Sequence, residues 1–175
     1  MLIVIDMQKD FIDGVFGTKE AQEIVPKVAD FVYNYKGEIY FTRDTHHKEN
    51  KKTVEELILP EHCIEDEDGW YMPSEIQLAM KRASHRGTVA IYSKYTFGCE
   101  SMCKDLKGEK EIFICGLCTD ICVISNALMI RSMNPFAKIT VISDLCAGTT
   151  PENHQKALDI MKMNLIEIKT MEELK

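Results

Sequence analysis

The sequence predicts an α/β fold: a three-layer, doubly wound, Rossmann-like domain built on a mostly parallel six-stranded sheet with helices on both faces. Three observations carry that expectation. Six short apolar runs, most of them rich in Ile and Val, recur along the chain, as strands covered on both faces require. Segments with apolar residues three and four apart lie between them. The 175 residues are 45% hydrophobic and 28% charged, with no repeat, low-complexity tract or Gly/Ser linker, so a single domain over residues 1–175 is expected. A chain of this length buries roughly 70% of its unfolded surface and folds without a staple.

The elements follow in order. Leu2 to Ile5 is the first strand. Ala21, Ile24, Val25, Val28, Phe31, Val32 and Tyr35 then form one apolar stripe at helical spacing. Pro26 lies inside it, so this helix either starts late or kinks there. Glu38 to Thr42 is the second strand. Asp44 to Glu67 breaks the pattern: it is polar and holds Asp44, His46, His47, Glu55, His62 and Cys63. Long loops in compact domains are usually functional or disordered, and these side chains favour function. Pro73 to Ser84 is a helix, with Ser74 or the residue before Pro73 near its start, and Thr88 to Ser93 is the third strand. Cys99 and Cys103, four apart, share one face of a short helix. Glu111 to Gly116 is the fourth strand, Ile121 to Arg131 a helix, and Lys138 to Ser143 the fifth strand. Thr150-Pro151-Glu152 opens the last helix, to Met163, with an N-cap and then proline at the first helical position. Leu165 to Ile168 closes the sheet. Strands alternating with helices imply parallel pairing through right-handed crossovers.

Asp and Glu outnumber Lys and Arg by 28 to 21, a net charge of −7. That balance speaks against a nucleic-acid or anionic-membrane binder, so no nucleic acid and no membrane are expected as partners. The start, MLIVIDM, has no basic region, and Asp6 interrupts its apolar run. No run is long enough for a signal peptide or a span. The expected location is therefore cytoplasmic, where thiols stay reduced. Seven cysteines cannot all pair within one chain. They are then either small buried hydrophobes or chemical groups.

In open parallel sheets, sites form outside the carboxyl ends of the strands. Those ends are marked by Asp6, by Asp44, by Lys94, by the run Cys115 to Cys122, and by Asp144. If Asp120 caps the following helix, Cys122 lies in its first turn, where the macrodipole favours a thiolate and free N–H groups can hold an oxyanion. Asp6 and Lys94 supply the proton acceptor and the cation such a thiol needs. On spacing alone, a buried packing role for Cys122 is equally open, and Cys115, Cys118 and Cys146 fit that role better. Asp44-x-His46 with Glu55 and His62 suits zinc, iron or manganese. The absence of thiolates points to a catalytic rather than a structural site. A solvated loop also readily contains Asp-x-His. His47, His85 and His154 read as surface residues. A redox protein built on Cys115-x-x-Cys118 is a remote alternative. Against it, Cys115 lies within the strand and Cys118 precedes the presumed helix. A phosphatase of the haloacid-dehalogenase type wants a second Asp where Gln8 stands.

LIVIDMQKDF at Leu2 to Phe11, TRDTH at Thr42 to His46 and LPEHC at Leu59 to Cys63 form a pattern with three later blocks. These are SKYTFG at Ser93 to Gly98, GLCTDICV at Gly116 to Val123, and DLCAGTTPE at Asp144 to Glu152. Over nearly its whole length the chain resembles the isochorismatase-like cysteine hydrolases, and within them the nicotinamidases. The resemblance implies a triad of Asp6, Lys94 and Cys122. It also implies a cis peptide between Leu117 and Cys118, and an oxyanion hole from the backbone N–H groups of Cys118 and Cys122. It maps metal ligands to Asp44, His46 and His62, with Glu55 as an additional ligand, and places Phe11 against the substrate ring. The implied reaction converts nicotinamide to nicotinate and ammonia through a cysteine thioester. The implied cofactor is one divalent ion: zinc first, with iron or manganese as alternatives. Other branches of the family act on isochorismate or carbamoyl compounds and generally lack the metal site. A metal-free hydrolase of a carbamoyl or other small amide is thus the nearest alternative. The implied partner is a small-molecule amide. Homo-oligomers are common in the family, although no interface signature is visible here. The five other cysteines read as packing or surface thiols.

Overall fold

The computed structural model describes residues 1–49 and 53–174. Six strands, β1 Leu2–Ile5, β2 Ile39–Asp44, β3 Val89–Lys94, β4 Glu111–Leu117, β5 Lys138–Ala147 and β6 Glu167–Lys169, form one sheet in the order β3-β2-β1-β4-β5-β6. Every pairing is parallel, so the expected mostly parallel sheet is wholly parallel. All four β1 residues are buried, as a central strand covered on both faces should be. The chain winds outward from β1 through β2 to β3, and in the opposite direction from β4 through β5 to β6. The switch point therefore lies between the carboxyl ends of β1 and β4.

The helices are α1 Lys9–Ile12, α2 Lys19–Asn34, α3 Val54–Ile58, α4 Ser74–Ser84, α5 Glu100–Asp105, α6 Ile124–Met133 and α7 Pro151–Met163. With right-handed crossovers, α2 and α4 pack together over one face, and α5, α6 and α7 over the other. Of the two outcomes expected for Pro26, a late start does not occur. Thr18 caps α2 through its side chain, and Ala21, Ile24, Val25, Val28 and Val32 bury a continuous stripe that carries the helix through the proline. Thr150 caps α7, with proline at its start as expected.

Two boundaries differ in ways that matter for the site. The fifth strand does not end before Asp144 but continues to Ala147, through an irregularity between the Ile114 and Gly116 pairings. Asp144 accepts a hydrogen bond from the Met171 N–H at 2.9 Å and takes no part in the site. The described parts of the polar stretch after β2 are structured: a Thr53–Glu56 capping box starts α3, and a bridge joins His46 to Ile64; residues 50–52 lie outside the described residues. All seven cysteines are free and buried, so none is a surface thiol.

Candidate active site

Asp6 follows the last residue of β1 with φ 42°, in the left-handed region, and is fully buried. Thr42 on the neighbouring strand holds it twice: the Thr42 hydroxyl donates to Asp6 Oδ1 at 2.7 Å and accepts from the Asp6 N–H at 3.2 Å. Lys94, the last residue of β3, reaches over β2. Its Nζ lies 2.7 Å from Asp6 Oδ2, 2.9 Å from Asp44 Oδ1 and 3.5 Å from Cys122 Sγ. The three predicted triad residues are thus brought together, with Asp44 as a fourth member.

Burial raises the Asp6 carboxyl above the usual range, and the adjacent Lys94 only partly offsets this. Burial also works against the Lys94 charge, but Asp6, Cys122 and Asp44 outweigh it and lift its pKa well above the ordinary value. Burial pushes the Cys122 thiol well up, against the lowering effect of Lys94. Burial thus opposes the thiolate that a helix N-terminus would favour. Cys122 Sγ faces the Lys94 ammonium, which also contacts Asp6.

The local helix geometry also differs from expectation. After a cis Leu117–Cys118 peptide, residues Thr119–Val123 form a π-helical turn, and α6 begins only at Ile124. Cys118, not Asp120, occupies the extended cap position, and the Ile121 and Val123 N–H groups donate to its carbonyl at 3.1 Å. Asp120 instead accepts from the Thr149 N–H at 2.8 Å and from the Thr149 hydroxyl at 2.5 Å. Asn126, fully buried, donates to the carbonyls of Cys122 at 2.7 Å and Phe97 at 3.0 Å, and accepts from the Cys99 N–H at 2.8 Å. It fastens the turn after β3 to the Cys122 turn.

Asp44, His46, Glu55 and His62 form a compact cluster, with one ligand atom from each within 4.8 Å of the others. His46 Nε2 is 3.0 Å from Asp44 Oδ2 and 3.7 Å from Glu55 Oε1; His62 Nε2 is 3.5 Å and 3.4 Å from the same two atoms. Donors about 2.0–2.2 Å from a tetrahedral ion lie about 3.3–3.6 Å apart, so this donor set fits a divalent cation. The second ring nitrogen of His62, Nδ1, lies 2.8 Å from the Pro60 carbonyl, a contact that orients the ring with Nε2 toward the cluster. Burial disfavours charge on both rings. Hydrogen bonds to Asp44 and Glu55 outweigh it, raising His46 to about 10 and His62 to about 9. Asp44 is lowered despite its burial, because Lys94, His46 and His62 face it.

A cavity of about 440 Å³ opens beside both groups. Phe11, Phe16, Leu59, Phe97 and Ile121 give it apolar walls; Glu55 and His62 border it from the cluster, and Cys118 and Cys122 from the π-turn. The Phe11 ring stands 5.8 Å from the His62 ring and Phe16 stands 4.8 Å from it. Sequence reasoning found Phe11 but missed Phe16, Phe97, Thr42, Asn126 and Gln8. Of the histidines read as surface residues, His154 is half-buried and bonds the Thr119 hydroxyl at 2.8 Å.

Such a site at the switch point of a parallel sheet marks a doubly wound α/β protein with a thiol-centred pocket beside a metal-type cluster. The chain belongs to the isochorismatase family: the isochorismatase domain matches residues 1–173. It is 26% identical over 204 residues to the nicotinamidase of Schizosaccharomyces pombe, covering 95% of this chain and 91% of that one. A pyrazinamidase of Pyrococcus horikoshii, solved in complex with zinc, superposes with a TM-score of 0.79 at 27% identity, over 97% of this chain and 98% of that one. A pyrazinamidase/nicotinamidase from Streptococcus mutans shares the fold, with a TM-score of 0.82 at 24% identity over 95% and 98% of the two chains. Family and relatives together place the chain among the amidohydrolases of this fold.

Proposed function

We propose that the chain hydrolyses nicotinamide to nicotinate and ammonia, with Cys122 as nucleophile and one divalent ion, zinc before iron or manganese, on Asp44, His46, Glu55 and His62. The observation that carries this reading is the pairing of two constellations on one cavity. Cys122 Sγ lies 3.5 Å from the Lys94 ammonium that also contacts Asp6, and the four-ligand cluster shares Asp44 with that same lysine. The nicotinamidase and pyrazinamidase relatives, one of them zinc-bound, support the substrate class and the metal.

Asp6, raised by burial, takes the Cys122 thiol proton as sulfur bonds to the carboxamide carbon, and Lys94 holds the charge that shifts between them. The carbonyl electron pair moves onto oxygen, facing the backbone N–H groups of Cys118 and Cys122. Asp6 returns the proton to nitrogen, the C–N bond breaks and ammonia leaves. Water then adds to the thioester, giving a proton to Asp6, and the C–S bond breaks as Asp6 returns that proton to the Cys122 sulfur, releasing the acid. Bound on its four ligands, the divalent ion would supply a Lewis-acidic position for a pyridine nitrogen and so orient the ring. Phe11 packs against that ring. No Lys or Arg is among the described residues that line the cavity, which favours a neutral amide over an anionic substrate.

The test is ammonia release from nicotinamide, pyrazinamide and small carbamoyl compounds, with chelated and zinc-reconstituted protein. Turnover of the first two, dependent on zinc, is expected. Turnover of carbamoyl compounds alone, indifferent to metal, would replace this reading with that of a metal-free amide hydrolase.

A further inference from the structure

Gln8 is fully buried next to the site, and the reaction steps give it no part. Its side-chain amide bonds at both ends. Oε1 accepts from the Asp44 N–H at 2.7 Å, while Nε2 donates to the Asp44 carbonyl at 2.8 Å and the Trp70 carbonyl at 2.9 Å. The two bonds to Asp44 grip one residue's backbone as a neighbouring strand would. A strand is what this position lacks on that side. β1 pairs with β2 only as far as Val4↔Phe41, whereas β3 follows β2 to its end at Asp44↔Lys94. The Gln8 amide extends the sheet past the point where β1 stops.

The Gln8 backbone adds a second tie, since its N–H donates to the Asp6 carbonyl at 2.8 Å. One residue therefore links the two carboxylates that flank Lys94: Asp6 through its main chain and Asp44 through its side chain. Only a neutral amide of this length meets the demand. Glutamate brings no donor for two carbonyls, methionine fills the space but pairs nothing, and asparagine is one methylene short.

We propose that Gln8 is a positioning residue. Its amide holds the Asp44 backbone so that Oδ1 meets Lys94 while Oδ2 joins His46, Glu55 and His62. This rests on the proposed role of Asp44 as a metal ligand, and zinc binding by the wild-type chain tests that role separately.

The experiment measures zinc affinity by competition with a chromophoric chelator for wild type, Gln8→Met and Val141→Ala. The last is a destabilising control in the buried middle of β5, away from the site. Removing a partner that orients a ligand weakens metal binding by about 10- to 100-fold. Gln8→Met should show that loss, and Val141→Ala should keep wild-type affinity. Should Gln8→Met not fold, Gln8→Asn takes its place with the same expectation. A Gln8 variant that is less stable but binds zinc within about twofold of wild type would overturn the positioning role and leave the metal reading standing. A wild-type chain without zinc affinity would overturn both.

Discussion

Lys94 donates to Asp44 at 2.9 Å while lying 2.7 Å from Asp6 on its other side, so one ammonium, fully withdrawn from water, is shared by two carboxylates. Asp44 in turn turns its other oxygen to the histidine pair. The thiol centre and the metal-type cluster are thus one electrostatic unit. A change in either should be felt by the other.

Lys94→Met tests that unit. It leaves Asp6 buried without a cation and takes from Asp44 the cation on its Oδ1 side, and removing one partner of a buried ion pair costs about 3–5 kcal/mol. The urea midpoint should fall accordingly and ammonia release should disappear. A midpoint equal to wild type would mean that the two carboxylates are not charged against Lys94.

Gly116 has φ 119°, and a Cβ there would run into the Ile5 carbonyl, one residue before Asp6. Gly116→Ala should cost on the order of 3 kcal/mol, from the left-handed backbone and the clash together. It should also displace Asp6 and so reduce turnover in the fraction that still folds. Denaturation and turnover measured on the same preparation check both. A variant with wild-type stability would contradict the close approach of β1 and β4.

Metal removal is expected to lower the unfolding temperature, because an ion that binds only the folded chain stabilises it by mass action. At about a hundredfold over its dissociation constant this amounts to about 2.7 kcal/mol. Differential scanning with chelator and then with added zinc reads the loss and its recovery. Identical transitions in both would argue against a site on Asp44, His46, Glu55 and His62.

His154 carries a pH signature of its own. Burial beside Thr119 lowers its pKa below 6.5, against a smaller opposing effect of Asp120. The unfolded chain therefore takes up this proton more readily than the folded one. The stability contribution is present above pH 6.5 and is lost as the pH falls below it. His154→Gln should flatten the drop in urea midpoint between about pH 7.5 and about pH 5.5. His46 and His62 titrate with the opposite sign but are common to both proteins. Equal drops in the two would remove His154 from the account.

Much of the fold is legible in the sequence because strands buried on both faces are apolar almost throughout. Reading the residue after each run then finds Asp6, Asp44, Lys94 and the Cys118–Cys122 turn. Asp144 misleads because the irregularity in the β4–β5 pairing carries β5 past it, and no residue pattern marks that. Asp120 misleads because a carboxylate before a helix usually caps it, whereas here the cis peptide and π-turn put Cys118 in that place. Gln8, Thr42 and Asn126 stay hidden for a different reason. They are neutral groups whose importance lies in hydrogen bonds to segments far along the chain, such as Gln8 to Trp70 across 62 positions.

The most direct measurement compares ammonia release from nicotinamide by Cys122→Ala and Cys118→Ala, each confirmed to be folded by circular dichroism. Cys122→Ala should lose about 10⁴-fold or more in turnover. Cys118→Ala, which keeps the backbone N–H, should stay within about tenfold of wild type. Substantial activity in Cys122→Ala, or equal loss in both, would contradict the assignment of Cys122 as the nucleophile.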